Sequence, residues 1–282
     1  MRRREFVALI ATAGTWSRGA LAQQRMKFAR VGYLSAVSPQ QNAKVVEAFR
    51  RRLAELGYIE GQSIFFEQRW AEGQQDRLPR LAAELVKLRV DVIVAVSTAS
   101  VLAAKNATAT IPIVMINVGD PVALGLVDSL ARPSGNVTGR SFTVGAETFE
   151  KGLDLLTEAI PDLRVVAVLS SAENPAHPIV IQKIEGAARA VRLNLKLFKA
   201  RSPDEFESVF GAMASAGAGA VLVVGDPLFT AHGGLLAQVA LRHRLPSIHQ
   251  LRQDVEIGGL IAYGPEQSDH WLRAAEYGAA AD

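Results

Sequence analysis

Two Gly-Asp-Pro triplets, Gly119-Asp120-Pro121 and Gly225-Asp226-Pro227, each follow a hydrophobic run. If those runs are strands, each triplet holds a carboxylate at a strand's carboxyl end, the edge of an open α/β sheet where ligands bind. Ser97-Thr98-Ala99-Ser100 offers the complementary chemistry, because the hydroxyls and free N–H groups that open a helix take up an anion.

Signs of catalysis are missing from the sequence. The five histidines, His177, His232, His243, His249 and His270, form no HExxH, and there is no cysteine to join them as a metal ligand. No GxxxxGK[ST] occurs, and Gly217-Ala218-Gly219 precedes a strand-like run instead of following one, so it fails as a dinucleotide fingerprint. No GxSxG nucleophile elbow is present either. The expectation is binding without catalysis, with no metal and no cofactor.

The elements that must position these residues alternate in type. Short β-rich runs at 30–35, 63–70, 90–96, 111–118 and 136–142 are separated by helical patterns at 42–56, 76–88 and 97–106. Asp76 is placed to cap the second helix. A fresh helix at 146–160 restarts the alternation, with strands at 164–170, 193–199, 220–225, 246–250 and 259–263 and helices at 179–191, 203–216 and 235–244. Alternating βαβ units build parallel sheets, so the fold class is α/β with two Rossmann-like lobes, a first over 28–142 and a second over 143–266. The helix-forming stretch 267–282 is expected to return to the first lobe.

Composition fits an ordered protein of about two domains, with 282 residues, 49% hydrophobic positions and no disulfide chemistry. Charge is unevenly placed. Of 31 Lys and Arg and 28 Asp and Glu, four basic residues and one acid fall within residues 1–22, which leaves 27 of each. A nucleic-acid partner is therefore not expected, since phosphate binding needs a basic surplus.

Residues 1–22 have the order of an export signal: Arg2-Arg3-Arg4, a weakly apolar stretch, then Ala20-Leu21-Ala22. Cleavage after Ala22 is expected. Arg3-Arg4-Glu5-Phe6 also matches a twin-arginine pattern, so the Tat and Sec routes both stay open. No later run approaches the roughly 18 apolar residues of a membrane span, and a periplasmic product follows.

These residues resemble the ABC-transporter substrate-binding proteins of the family that includes tryptophan- and tyrosine-binding members. The resemblance rests on Val31-Gly32-Tyr33-Leu34, FRRLAELG at 49–56 with Gly57, Arg69-Trp70-Ala71-Glu72-Gly73, Asp91-Val92-Ile93-Val94, IPIVMINVGDPVALGL at 111–126, Gly135-Asn136-Val137-Thr138-Gly139 and Tyr263-Gly264-Pro265. It implies a type I periplasmic binding fold, two lobes on a hinge that close on a small ligand for delivery to an ABC permease in the inner membrane. A monomer is implied. The same fold serves sensors that present their closed form to a membrane receptor, and that alternative stays open.

The cleft of such a fold lies among the loops at 35–38, 97–100, 117–120, 170–174, 225–226 and 249–250. The candidate ligand-binding residues are Tyr33, Ser35, Ser97, Thr98, Asp120, Asn174, Asp226 and Phe229. Ser97 and Thr98 would take a carboxylate, Asp120 and Asp226 an ammonium group, and Tyr33 or Phe229 would form an apolar wall. An amino acid, or another small compound bearing a carboxylate or an aromatic ring, is the expected guest. Hinge motion is expected near 143–145 and 263–266.

Overall fold

The computed structural model describes residues 28–133, 135–141 and 145–264. The expected leader, most of the crossover at 143–145 and the return segment 267–282 lie outside these residues. The chain builds β1 (Ala29–Ser35), α1 (Pro39–Glu55), β2 (Ile64–Trp70), α2 (Leu78–Lys87), β3 (Val92–Val96), α3 (Thr98–Ala107), β4 (Ile113–Val118) and β5 (Val137–Ser141). It continues with α4 (Ala146–Ala159), β6 (Val165–Ser171), α5 (His177–Ala190), β7 (Asn194–Ala200), α6 (Phe206–Ser215) and β8 (Ala220–Val223). Two short helices, α7 (Pro227–Ala231) and α9 (Arg252–Glu256), flank α8 (Gly233–Arg242) and β9 (Ser247–His249), and β10 (Ile261–Ala262) follows.

The strands form two five-stranded sheets, ordered β2-β1-β3-β4-β5 and β7-β6-β8-β9-β10, with every neighbouring pair parallel. The order is the same in both. In each sheet the chain steps to one side of its first strand and then crosses to the other. The loops after the first and third strands therefore diverge and leave a crevice between them. That switch point falls between β1 and β3 in one lobe and between β6 and β8 in the other.

Central strands are buried on both faces, β3 and β8 along their whole length. In the first lobe one core is made by Leu78, Leu81 and Leu85 of α2 and Val101 of α3, while Phe49 and Leu53 of α1 fill the opposite face. In the second lobe Leu153 and Leu156 of α4 and Ile184 of α5 cover one face, and Phe210 of α6 and Val239 of α8 cover the other. Each lobe is a helix-sheet-helix sandwich, as the alternating pattern predicts.

The differences from the sequence reading have local causes. Helix α1 begins at Pro39, three residues early, because Ser38 and Gln41 form a capping box and proline is favoured in the first turn. Asp76 caps nothing: it sits in a 3-10 turn, Gln75–Arg77, that precedes α2. Pro178 starts α5 two residues early, at His177. The five-residue helices α7 and α9 are too short to show a periodicity.

Strand β5 makes its closest approach to β4 at Gly139, where φ is +127° and a β-carbon would stand 2.3 Å from the Met115 carbonyl oxygen. The register shifts between Met115 and Val118 at the same place. Only glycine fits both the backbone angle and the gap. Gly139→Ala is expected to lower unfolding stability by about 2–4 kcal/mol, by strain and sheet separation together. Urea titration followed by far-ultraviolet circular dichroism measures it, and a loss below 1 kcal/mol contradicts the assignment.

Candidate functional site

The loops at the carboxyl ends of both sheets meet around a cleft of about 170 Å³. Ser35 to Val37 follow β1, Ser97 and Thr98 follow β3, and Asn117, Gly119 and Asp120 come from the end of β4 and the loop after it. From the second lobe Asn174 and His177 follow β6, Gly225 and Asp226 follow β8, and Gln250 and Leu251 follow β9. The strand order thus places the site at the switch point of each lobe. A more open groove of about 550 Å³ runs past Asp76, Asn106 and Arg201, but no unpartnered buried side-chain atom among the described residues faces it.

On the first lobe Ser97 has φ +91° and ψ 156°, a conformation that costs a non-glycine residue on the order of 1–3 kcal/mol. That backbone turns its side chain to cap α3, accepting from the Ser100 N–H at 3.4 Å with the Ser100 Oγ 3.1 Å away. Thr98 Oγ1 accepts the Gly119 N–H at 3.3 Å, which ties the β4 loop to the start of α3. The Thr98 N–H has no intrahelical partner in the first turn of α3, and Thr98 lines the cleft. Ser35 Oγ accepts from the Val37 N–H and from Asn42 Nδ2, and the same Asn42 nitrogen donates to the Tyr33 hydroxyl at 3.1 Å.

On the second lobe Asp226 is the N-cap of α7, accepting the Leu228 N–H at 2.8 Å through Oδ1. Its Oδ2 accepts from Asn174 Nδ2 at 2.8 Å and lies 3.5 Å from His177 Nε2. His177 Nδ1 accepts the Ser171 N–H at 2.9 Å, so the ring proton sits on Nε2, facing Asp226 and the Gly225 carbonyl. Burial lowers the pKa of His177 and raises that of Asp226, each moderated by the other's charge. At neutral pH the imidazole is neutral, and the carboxylate already has three partners.

Two cleft residues carry buried polar atoms without a partner: Asn117 Oδ1 from the first lobe and Gln250 Nε2 from the second. Asn117 adopts the left-handed region, φ +54°. One atom accepts and the other donates, and leaving both unpaired costs about 1–3 kcal/mol each. Their shared cleft makes a guest that brings one donor and one acceptor the natural remedy.

Across the cleft the lobes touch directly. Lys183 Nζ lies 3.7 Å from Asp120 Oδ2, and Gln41 Nε2 donates to the Thr230 carbonyl at 3.1 Å. Gly119 fits so closely against the second lobe that a β-carbon there would stand 3.2 Å from that of Ala176. These contacts bridge the two lobes.

Of the residues picked from sequence, the structure brings Ser35, Ser97, Thr98, Asp120, Asn174 and Asp226 into the cleft. Tyr33 and Phe229 are corrections. Tyr33 is 1% exposed, stacked on Trp70 at 5.0 Å, and burial pushes its phenol well above the ordinary range. Phe229 is 4% exposed and packs on Phe206 at 6.0 Å in the core under α6 and α8. Taking either ring out of its core costs roughly 1.5–3 kcal/mol, more than the 0.5–1.5 kcal/mol of an aromatic contact. Neither lines the cleft.

Sequence reasoning singled out neither Asn117 nor Gln250, although it placed their loops at the cleft, and it did not mark Gln41, Asn42, His177 or Lys183. For Gln41 the missed signal is the Ser38-x-x-Gln41 capping box, which puts the start of α1 at the cleft. Among the described residues no group of three or more His, Asp or Glu is placed to hold a metal.

Residues 30–280 match the family described as ABC transporter substrate binding protein. This chain belongs to that family. It is similar to the tyrosine-binding protein of Clostridioides difficile strain R20291, 26% identical over 246 residues, 87% of this chain and 70% of that one. Among solved structures it resembles an ABC domain from Streptococcus pneumoniae in complex with L-Trp, with 23% identity and a TM-score of 0.82 over 89% of this chain and 84% of that one. A conserved domain protein from Vibrio cholerae matches at 24% identity and a TM-score of 0.83 over 90% and 84% of the two chains. The two lobes have the type I periplasmic binding fold.

In the second lobe, next to Gln250 of the cleft, His249 Nε2 meets Ser247 Oγ at 3.0 Å and Nδ1 lies 3.7 Å from Asp254 Oδ2. Burial lowers His249 to about 4 and raises Asp254 to about 6. The two shifts act oppositely on stability. Asp254, with its folded pKa raised, contributes most below its unfolded value near 4 and loses that contribution as pH rises through about 6. His249 must stay neutral, so its contribution is present above about 6.5 and is lost as pH falls toward 4.

Asp254→Asn removes one side of this balance. Its melting temperature should exceed wild type at pH 7, by a stability gain on the order of 2–3 kcal/mol, and the gain should vanish by pH 4. Differential scanning calorimetry across pH 4–7 reads this, and a gain independent of pH speaks against a charged, buried Asp254. Separately, Lys183→Gln breaks the ion pair across the cleft, a partly exposed contact worth about 0.2–1 kcal/mol. Small-angle scattering of the ligand-free chain at low salt should show a larger radius of gyration in the variant. Adding 1 M salt should bring wild type close to it, and identical profiles at low salt would exclude a role for the pair in closure.

Proposed function

We propose that this chain is the solute receptor of an ABC importer, capturing a small amino-acid-like ligand between its lobes and passing it unaltered to a permease. The observation that carries this reading is the pair Asn117 Oδ1 and Gln250 Nε2, a buried acceptor and a buried donor left open on opposite walls of one cleft. The ligand's carboxylate sits at the start of α3, against the Thr98 N–H and the Ser97 hydroxyl. Its ammonium group faces Asn117 and the Asp120 carboxylate, and Gln250 donates to the carboxylate from the other lobe. Asp226 acts on the ligand indirectly, because its own bonds go to α7, Asn174 and His177.

Membership of the family supports delivery to a permease, and so do the relatives' ligands, tyrosine for the Clostridioides difficile protein and L-Trp in the Streptococcus pneumoniae complex. The chain works as a periplasmic monomer after removal of residues 1–22 by the Tat or Sec route. Its lobes divide near 142, with 267–282 returning to the first, and they close by hinge motion near 143–145 and 263–266. Ligand shifts the equilibrium toward closure only by its differential affinity for the closed form. No residue here acts as nucleophile or acid-base catalyst on the bound molecule.

Small molecules retained through purification, identified by mass spectrometry, supply the titrant for calorimetry. Asn117→Ala and Gln250→Ala should each weaken its binding about 10- to 100-fold, the effect of losing one hydrogen bond to a charged group. Circular dichroism should show both variants folded. Unchanged affinity in both variants would remove the cleft from the function.

A further inference from the structure

Resting on that reading of the cleft, we infer that its ligand is a compact, net-neutral amino acid with an aliphatic side chain, not an aromatic amino acid or an aromatic acid. Three observations lead there. The apolar walls are aliphatic: Val37, Val45 and Val96 from the first lobe face Ile179, Val180 and Leu251 from the second. Among the described residues that line the cleft, the one aromatic ring is the His177 imidazole, and its edge is already occupied by Ser171, Gly225 and Asp226. The nearby Tyr33 and Phe229 are held in the cores of their lobes by Trp70 and Phe206 and offer no stacking face.

Size points the same way. The cleft, at about 170 Å³, is little larger than the apolar cavity of about 150 Å³ that accepts a single benzene ring. A branched aliphatic side chain with its amino and carboxylate groups approaches that volume. An indole or phenol ring on the same head group needs more room, and the Gly119–Ala176 approach and the Lys183–Asp120 pair are the contacts that would have to part to give it.

Charge completes the assignment. Lys183 is paired with Asp120, so among the described residues the cleft presents no uncompensated cation for a lone carboxylate. What remains open is one donor, one acceptor and the N–H groups at the start of α3. A zwitterion satisfies these without adding net charge to the cleft. A monoanion such as benzoate does not.

The test is calorimetric titration of the full chain, freed of carried-over ligand by unfolding and refolding, against L-valine, L-leucine, L-isoleucine, L-tryptophan, L-tyrosine and benzoate. At least one aliphatic amino acid should bind ten times or more tighter than any aromatic compound, and should raise the melting temperature accordingly. An aromatic compound that binds as tightly as the best aliphatic one, or tighter, overturns this inference and leaves the receptor reading intact. Binding of none of the six overturns both. A widened wall gives a second readout: Ile179→Ala should shift the ratio of L-tryptophan to L-leucine affinity at least tenfold toward L-tryptophan, and a ratio that does not move places the side chain elsewhere and overturns the assignment.

Discussion

The structure depends on one constraint of parallel sheets. A strand whose two neighbours are reached by crossovers to opposite sides must have loops that part at its carboxyl end, and nothing within the lobe fills the gap between them. Both sheets have the same strand order, so each lobe carries such a gap, and the two gaps open into a single space. The fold makes room for a guest before any particular side chain is chosen.

Within that space the polar groups are unequally provided for. Asp226 and His177 are saturated by the loop and helix ends around them, which leaves this part of the second lobe's wall without an open hydrogen-bonding group. Asn117 and Gln250 are left open instead. The strained backbone at Ser97 belongs to the same design, since relaxing it would turn the start of α3 and its N–H groups away from the cleft. The cleft thus keeps a few open atoms among many that are already bonded.

Much of this was legible in the sequence, and the failures are instructive. Ten strands and seven longer helices followed from hydrophobic period and turn residues, because a buried parallel strand needs a continuous apolar run and a covering helix needs an apolar stripe. The Gly-Asp-Pro triplets led to real cleft residues, yet their shared sequence conceals different roles. Asp120 follows the fourth strand of its lobe and pairs across the gap, while Asp226 follows the third strand of the other and caps a helix. By position, the counterpart of Asp226 is Ser97, which caps the helix after the third strand of the first lobe. Tyr33 and Phe229 misled because an aromatic residue near a strand's end gives no sign of which face it takes, and packing settled both toward the core. Asn117 and Gln250 escaped notice because an amide matters here only through the partners it lacks, a property of three dimensions.

The bond from the Ser171 N–H to His177 Nδ1 has a wider effect. A backbone amide cannot reverse its role, so protonating that nitrogen requires breaking the bond and burying a cation in a dry place. Over the range in which a free histidine gains its charge, this one is held back. The cleft wall that this ring holds to Gly225 and Asp226 therefore keeps its form as the pH falls through that range.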